Sequence, residues 1–354
     1  RAEVVESAVR CLGRIGSRRA REALAGFLRP RYARAERCLG LLRRLPPGRD
    51  RAAWAAFEIA VHDRSLRVLD AVTDVLAALG EDRLVASLRR AALAATDRWT
   101  RASALEALTC LPHRRLVLPI LPLLEAMLVA REPAGERRTA DHAPAPAADG
   151  AALLDDAAAD EDPWIRLGAA RTARALGGTV GGRATPAPRD VAAGRPARTE
   201  GTAVTPTESD MERVLLLKRV PLFRYLPLDT LLAVGRVLER RAYVAGETVF
   251  EAGSRSDHFC IVESGAVEVF GDGRAAPSPE RLVAPAWFGE LVLVDEVPRS
   301  PRVVAAEDCA LLRLHRIVFH DLSRDHPEVL LELCRLLARR LRQVQGGGAA
   351  ILAR

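Results

Sequence analysis

Two short segments, Phe288-Gly289-Glu290-Leu291 and Pro298-Arg299-Ser300, hold the residue types in this chain with the clearest chemistry. The carboxylate of Glu290 can accept a hydrogen bond from a ribose hydroxyl. About ten residues on, the guanidinium of Arg299 can close a charge-assisted fork on phosphate oxygens. Gly289 leaves bare backbone beside them, so N–H groups can approach an anion. Together these groups suit a sugar-phosphate ring.

The flanking residues alternate as strands do. Tyr243-Val244-Ala245-Gly246-Glu247-Thr248-Val249-Phe250 reads as a turn entering a strand, and Gly253 to Asp257 as another turn. Phe259-Cys260-Ile261-Val262 is a short apolar strand, Ser264-Gly265 a turn, and Ala266 to Phe270 an alternating strand. Val303 to Ala305 and Ala310 to Leu314 add more. Short β-branched runs between glycine turns predict a small antiparallel barrel or jelly roll. A helix follows from Val329 to Val344, with Leu330, Leu333, Leu337 and Leu341 expected on one apolar face.

These residues resemble a known family. Residues 210–345 look like a cyclic-nucleotide-binding domain, as found in catabolite activator protein and the regulatory subunit of cyclic-AMP-dependent protein kinase. The resemblance runs in order through Val220-Pro221-Leu222-Phe223, Leu226, Leu231, Ala245-Gly246-Glu247, Gly253, Asp257 and Ser264-Gly265. It continues through Phe288 to Leu291 and Pro298 to Ser300, and ends at Arg339-Arg340-Leu341. It implies a β-roll with flanking helices and a phosphate-binding cassette containing Phe288, Gly289, Glu290, Leu291, Arg299 and Ser300. It also implies cyclic AMP or cyclic GMP as ligand, with no further cofactor. Glu290 would hold the ribose 2′-hydroxyl and Arg299 the cyclic phosphate, while Ser300 would add an amide and a hydroxyl. The chain departs from the family at Val292 and Pro301, where alanine is usual, and at Arg302, where threonine is; Pro301 has no N–H to donate. A second reading stays open, in which Glu290 and Arg299 form a plain ion pair in an empty cassette.

Residues 1–177 are rich in Ala, Leu and Arg and carry helical periodicity, for example Leu66, Leu69, Val72, Leu76 and Leu79. A unit recurs: Asp63-Arg64-Ser65-Leu66-Arg67, Asp97-Arg98-Trp99-Thr100-Arg101 and Asp162-Pro163-Trp164-Ile165-Arg166 each open a copy. Leu79-Gly80 and Leu176-Gly177 close copies, and Gly13 to Gly16 looks like an earlier tail. Each Asp is expected to cap a helix, and Pro163 to sit in its first turn. The pattern resembles HEAT repeats, which implies an α-solenoid of helical hairpins stacked through their neighbours. The whole chain is thus expected to be an α + β multidomain protein: repeats over 1–177 with a loop at 131–150, a linker at 178–209, the β-roll domain at 210–345 and a flexible tail at 346–354. Trp99 and Trp164 are expected to pack between helices.

Charge is uneven: residues 1–51 hold 14 arginines against five acidic residues, and the remainder is close to neutral. Since Lys218 is the only lysine, the arginines read first as a solvated surface in an arginine-rich proteome. Contact with an acidic partner or nucleic acid, or with anionic lipid, are the competing readings. The acidic clusters Asp155-Asp156 and Asp160-Glu161-Asp162 read as caps and solubilising charge. The six cysteines form no CxxC pair and read mostly as buried, reduced side chains; the seven histidines show no metal spacing. No nucleophile, P-loop or acid–base pair stands out, so no enzymatic activity is expected.

No run is apolar for long enough to span a bilayer. The chain opens at Arg1 inside an apparent repeat, and the expectation is a segment of a longer protein. Its domain order resembles bacterial proteins in which a transporter-like membrane domain comes first, so a cytoplasmic location, as the cytoplasmic part of a membrane protein, is expected. The expected function is a regulatory sensor that binds a cyclic nucleotide and signals to the repeats or to an upstream domain. The alternative is a non-enzymatic interaction scaffold with a ligand-free fold of the same family. Expected partners are a cyclic mononucleotide, a protein held by the repeats, and a second copy through the helix of residues 329–344. No DNA-binding domain is expected.

Overall fold

The computed structural model describes residues 2–81, 85, 114–130, 150–178, 205–254, 257–270, 279–295 and 302–349. The chain divides into two compact units, Arg1–Thr205 and Pro206–Arg354.

The first unit is built of helices: α1 (Ala2–Ile15), α2 (Arg18–Arg43), α3 (Arg51–Leu76), α4 (Leu121–Ala130), α5 (Gly150–Ala158) and α6 (Pro163–Ala175). Their starts follow from side chains that satisfy the orphan N–H groups of a first turn. Ser17 accepts from Ala20 N–H, Asp50 from Ala52 N–H and Asp162 from Trp164 N–H, with Pro163 entering α6. The cap expected of Asp162 is therefore present. That expected of Asp63 is not: Asp63 lies inside α3, buried, and pairs with Arg67 one turn on at 3.3 Å. No Pro or Gly interrupts residues 51–76, and the Asp50 cap starts the helix earlier, so propagation overrides a local Asp signal. The copy expected at Asp97 with Trp99, and the 131–149 part of the expected loop, lie outside the described residues, as do residues 179–204 of the expected linker.

Helix α3 is the core of this unit. Phe57, Ala60, Val61, Leu69, Val72 and Leu76 are buried along it, and it packs against α2 and α6. Trp164 is 1% exposed, as its packing role requires. The acidic turn before α6 holds more than caps. Asp160 is buried and accepts from Arg37 Nε of α2 (2.6 Å), Arg64 Nη1 of α3 (2.5 Å) and Asp162 N–H (2.8 Å). Arg34 pairs with Glu161 and Arg44 with Asp156. Part of the basic excess of residues 1–51 is thus matched by acids more than 100 positions later.

The second unit opens with α7 (Glu208–Arg219), started by a reciprocal capping box between Thr207 and Asp210. This helix begins inside the stretch expected to be linker. Then come, among the described residues, α8 (Leu228–Val237), eight strands, α9 (Arg316–Asp325) and α10 (Glu328–Ala349). The strands are β1 (Glu239–Tyr243), β2 (Thr248–Phe250), β3 (His258–Ser264), β4 (Ala266–Phe270), β5 (Glu280–Val283), β6 (Trp287–Phe288), β7 (Arg302–Ala305) and β8 (Cys309–His315). They form two four-stranded sheets, ordered β1-β8-β3-β6 and β2-β7-β4-β5, in which every pairing is antiparallel. Tyr243, Cys260, Val262, Val267, Phe288, Val303, Ala305 and Leu311 fill the space they enclose. The antiparallel expectation holds, and each predicted strand has a counterpart.

The β3–β4 corner turns on Gly265, whose φ of +75° favours glycine, and a Cβ there would overlap Asp308 O and Cys309 Cβ. Backbone strain and a clash with backbone then act together. Gly265→Ala should destabilise the β-domain by about 2 kcal/mol or more, read as a lower urea midpoint. Gly246→Ala, at a similar φ with open space around it, should cost less than half as much; equal losses would refute the steric part.

Helix α10 refines one expectation and corrects another. Its buried residues are Val329, Glu332, Leu333 and Leu336, whereas Leu330 is 40% and Leu341 59% exposed. The buried stripe packs on Pro221–Phe223 and shares Leu333 with the leucine face, most of which lies to one side of it. The helix also continues through Gly346–Gly348, residues expected to be a flexible tail. Glycine weakens a helix by about 1 kcal/mol per residue without forbidding it. Of the described cysteines, Cys38, Cys260 and Cys309 are buried, while Cys11 and Cys334 are exposed. No described helix is long and apolar enough to cross a membrane.

Candidate functional site

The site segment hangs from the edge of the first sheet. Strand β6 is held to β3 in the register Cys260↔Phe288 and Ile261↔Trp287, and Val262 N–H donates to Ala286 O just before it. Phe288 turns into the core and meets Phe250 edge-to-face at 6.2 Å. The chain leaves the strand at Gly289 (φ +81°, ψ +26°), a left-handed conformation that costs other residues roughly 1–2 kcal/mol. A 3₁₀ turn follows over Glu290–Leu293, closed by Val294 N–H and Asp295 N–H on Leu291 O.

The glycine bend and tight turn together drive Glu290 inward. Its side chain is 1% exposed, an environment a carboxylate tolerates only with compensating partners. Glu290 does have a polar or charged partner. Leu291 points the other way and is 60% exposed. Val292 and Leu293 are buried, so the departure at Val292 adds volume to the packed side of the turn. Arg299 and Ser300, with Pro301, lie outside the described residues. The chain is described up to Asp295 and again from Arg302, where β7 is fixed between β2 and β4. The structure thus brings Phe288, Gly289 and Glu290 together at one sheet edge and turns Leu291 to the surface.

A histidine from the following helix belongs to this assembly. His320 of α9 has its Nε2 2.8 Å from Leu293 O. A carbonyl only accepts, so Nε2 carries the hydrogen, and the bond ties α9 to the turn that carries Glu290. No spacing signal could have found it, since the partner is a backbone oxygen 27 positions away.

Comparison with known proteins fits this geometry. Residues 240–326 match the sequence profile of the family described as "Cyclic nucleotide-binding domain". The second unit carries a cyclic nucleotide-binding domain. A cyclic nucleotide-gated potassium channel of Mesorhizobium japonicum is 36% identical over 114 residues, which is 32% of this chain and 31% of the channel. A cAMP-dependent protein kinase regulatory subunit of Blastocladiella emersonii is 35% identical, over 30% of this chain and 27% of that protein. The cyclic AMP receptor protein of Thermus thermophilus is 36% identical over 36% of this chain and 60% of its own length. The chain therefore spans under a third of the first two relatives. The family match, residues 240–326, lies within the second unit.

Proposed function

We propose that this protein is a non-enzymatic regulatory sensor whose cyclic nucleotide-binding domain takes cyclic AMP or cyclic GMP. Glu290 accepts from the ribose 2′-hydroxyl, Arg299 forks the cyclic phosphate, and Ser300 adds an amide and a hydroxyl. Gly289 lets the backbone approach, and Phe288 and Leu291 frame the cassette. The observation that carries this reading is Glu290: a carboxylate buried behind a left-handed glycine, within the span that matches this family. Binding shifts the turn, and the His320 bond passes the shift to α9 and then α10. A ligand moves such a balance only through unequal affinity for the two states. The output goes to the helical unit, read as a HEAT-like solenoid, or to an upstream membrane domain of a longer cytoplasmic chain.

Calorimetry of the full chain tests this. Cyclic AMP or cyclic GMP should give saturable heat, and a ligand at 100 times its dissociation constant should stabilise the domain by about 2.7 kcal/mol. No heat and no melting shift with either would reject the sensor in favour of a scaffold, a reading the substitutions at Val292, Pro301 and Arg302 favour. A scaffold would retain protein partners through residues 1–177 with or without nucleotide.

A further inference from the structure

Helices α2 and α3 and the turn entering α6 enclose an open groove of about 430 Å³. Its walls are arginines: Arg31 and Arg34 from α2, Arg64 and Arg67 from α3. Two of them already grip a carboxylate. Glu161 Oε1 accepts from Arg34 Nε at 3.1 Å and from Arg64 Nη2 at 2.7 Å, yet the Glu161 side chain is 62% exposed. We propose that this groove binds an acidic peptide segment of a partner protein, whose carboxylate takes the seat that Glu161 occupies.

Three observations support the exchange. The seat is preformed: Arg64 is 4% exposed and fixed by Asp160 beneath it, and Arg67 is held by Asp162 at 2.6 Å and by Asp63. Ordering costs on binding are therefore small. The resident carboxylate is open to exchange: its side chain is 62% exposed, and its pair with Arg34 is of the exposed kind that contributes about 0–1 kcal/mol. The groove also keeps a cation to spare. Arg31 donates Nη1 to Phe27 O and lies 3.5 Å over the Phe27 ring, and no carboxylate pairs with it among the described residues. Burial, and then the charge of Arg34, press its pKa down, as expected for a guanidinium that lacks a counter-charge. Val68 and Ala71 give the floor an apolar strip for the carbons of a peptide. A peptide is favoured over a free anion because the group now seated is a carboxylate on a short stem from a backbone.

Fluorescence anisotropy on the full chain at low salt tests the proposal, with a labelled octapeptide alternating Glu and Ala as the probe. Glu161→Ala removes the internal competitor and should tighten binding about fivefold, roughly 1 kcal/mol. Arg31→Gln should weaken it by a similar factor. Arg18→Ala should change nothing, because Arg18 lies outside the groove, highly exposed and paired with Glu22. Should Arg31→Gln unfold the chain, the Glu161 variant decides alone. Equal losses for Arg18 and Arg31, no tightening on loss of Glu161, or equal binding of a Lys-Ala octapeptide would overturn the proposal. So would release of the probe by inorganic phosphate ahead of chloride at the same ionic strength, which would give the groove to phosphate.

Discussion

On the proposed reading, Arg299→Ala in the full chain should lower the affinity for cyclic AMP and cyclic GMP by about 100-fold or more, while Arg342→Ala should leave it unchanged. The difference is one of place, since both changes delete a guanidinium. Losing one side of a buried, hydrogen-bonded charge pair costs about 2–5 kcal/mol, which is roughly 30-fold to several thousand-fold in dissociation constant. A solvent-exposed guanidinium on a helix, such as Arg342, contributes almost nothing to a site it does not touch. Glu290→Gln supplies the companion case. The amide keeps the volume of a fully enclosed side chain but loses the charge-assisted acceptor, so affinity should fall about tenfold. Calorimetry reads each affinity, and the nucleotide-free melting temperature shows whether the fold survived. Parental affinity in the folded Arg299→Ala chain would remove the sensor reading.

Asp160→Ala destabilises the helical unit by about 3–5 kcal/mol, the range for stranding a buried ionic partner. Arg64 and Arg37 lose their shared acceptor, and Asp162 N–H loses its bond. A double change, Asp160→Leu with Arg64→Met, should cost clearly less than the sum of the two single changes, because no buried guanidinium is stranded, while Arg37, 44% exposed along its side chain, keeps water as a partner. Acid sharpens the test. Burial works to raise the Asp160 pKa, but the Asp162 N–H and the two arginines outweigh it and hold the carboxyl below its ordinary value. A depressed folded pKa adds stability above the unfolded pKa of about 3.9 and loses it as pH falls through the lower folded value. Parent and Asp160→Ala stabilities, followed by urea unfolding at pH 7 and downwards, should therefore converge below about pH 4. A constant gap across that range would deny the charged role of Asp160.

Much of the β-domain was legible because its signals are local. Alternation from Phe259 to Val262 and turn glycines such as Gly265 act within a few residues, and β-pairing follows from them. What could not be read depends on partners far along the chain. The inward face of α10 is chosen by contact with Pro221–Phe223, which counting leucines along the helix could not reveal: of that set, Leu333 is buried while Leu330 and Leu341 are exposed. Asp63 resembles a helix start in isolation and becomes a mid-helix residue because Asp50 had already begun α3. Asp160 carries no sequence mark that separates it from the exposed Asp155. Only its meeting with Arg37 and Arg64 makes it structural, and the bond from His320 to a backbone oxygen leaves no trace in residue order at all.

The three-way junction at Asp160 also constrains synthesis. Arg37 and Arg64 leave the ribosome roughly 100 residues before the carboxylate that neutralises them. At about 5–20 residues per second that interval lasts several seconds. During it the nascent α2–α3 pair holds guanidiniums aimed at an unfilled position, and final closure of the helical unit waits for the turn at residue 160.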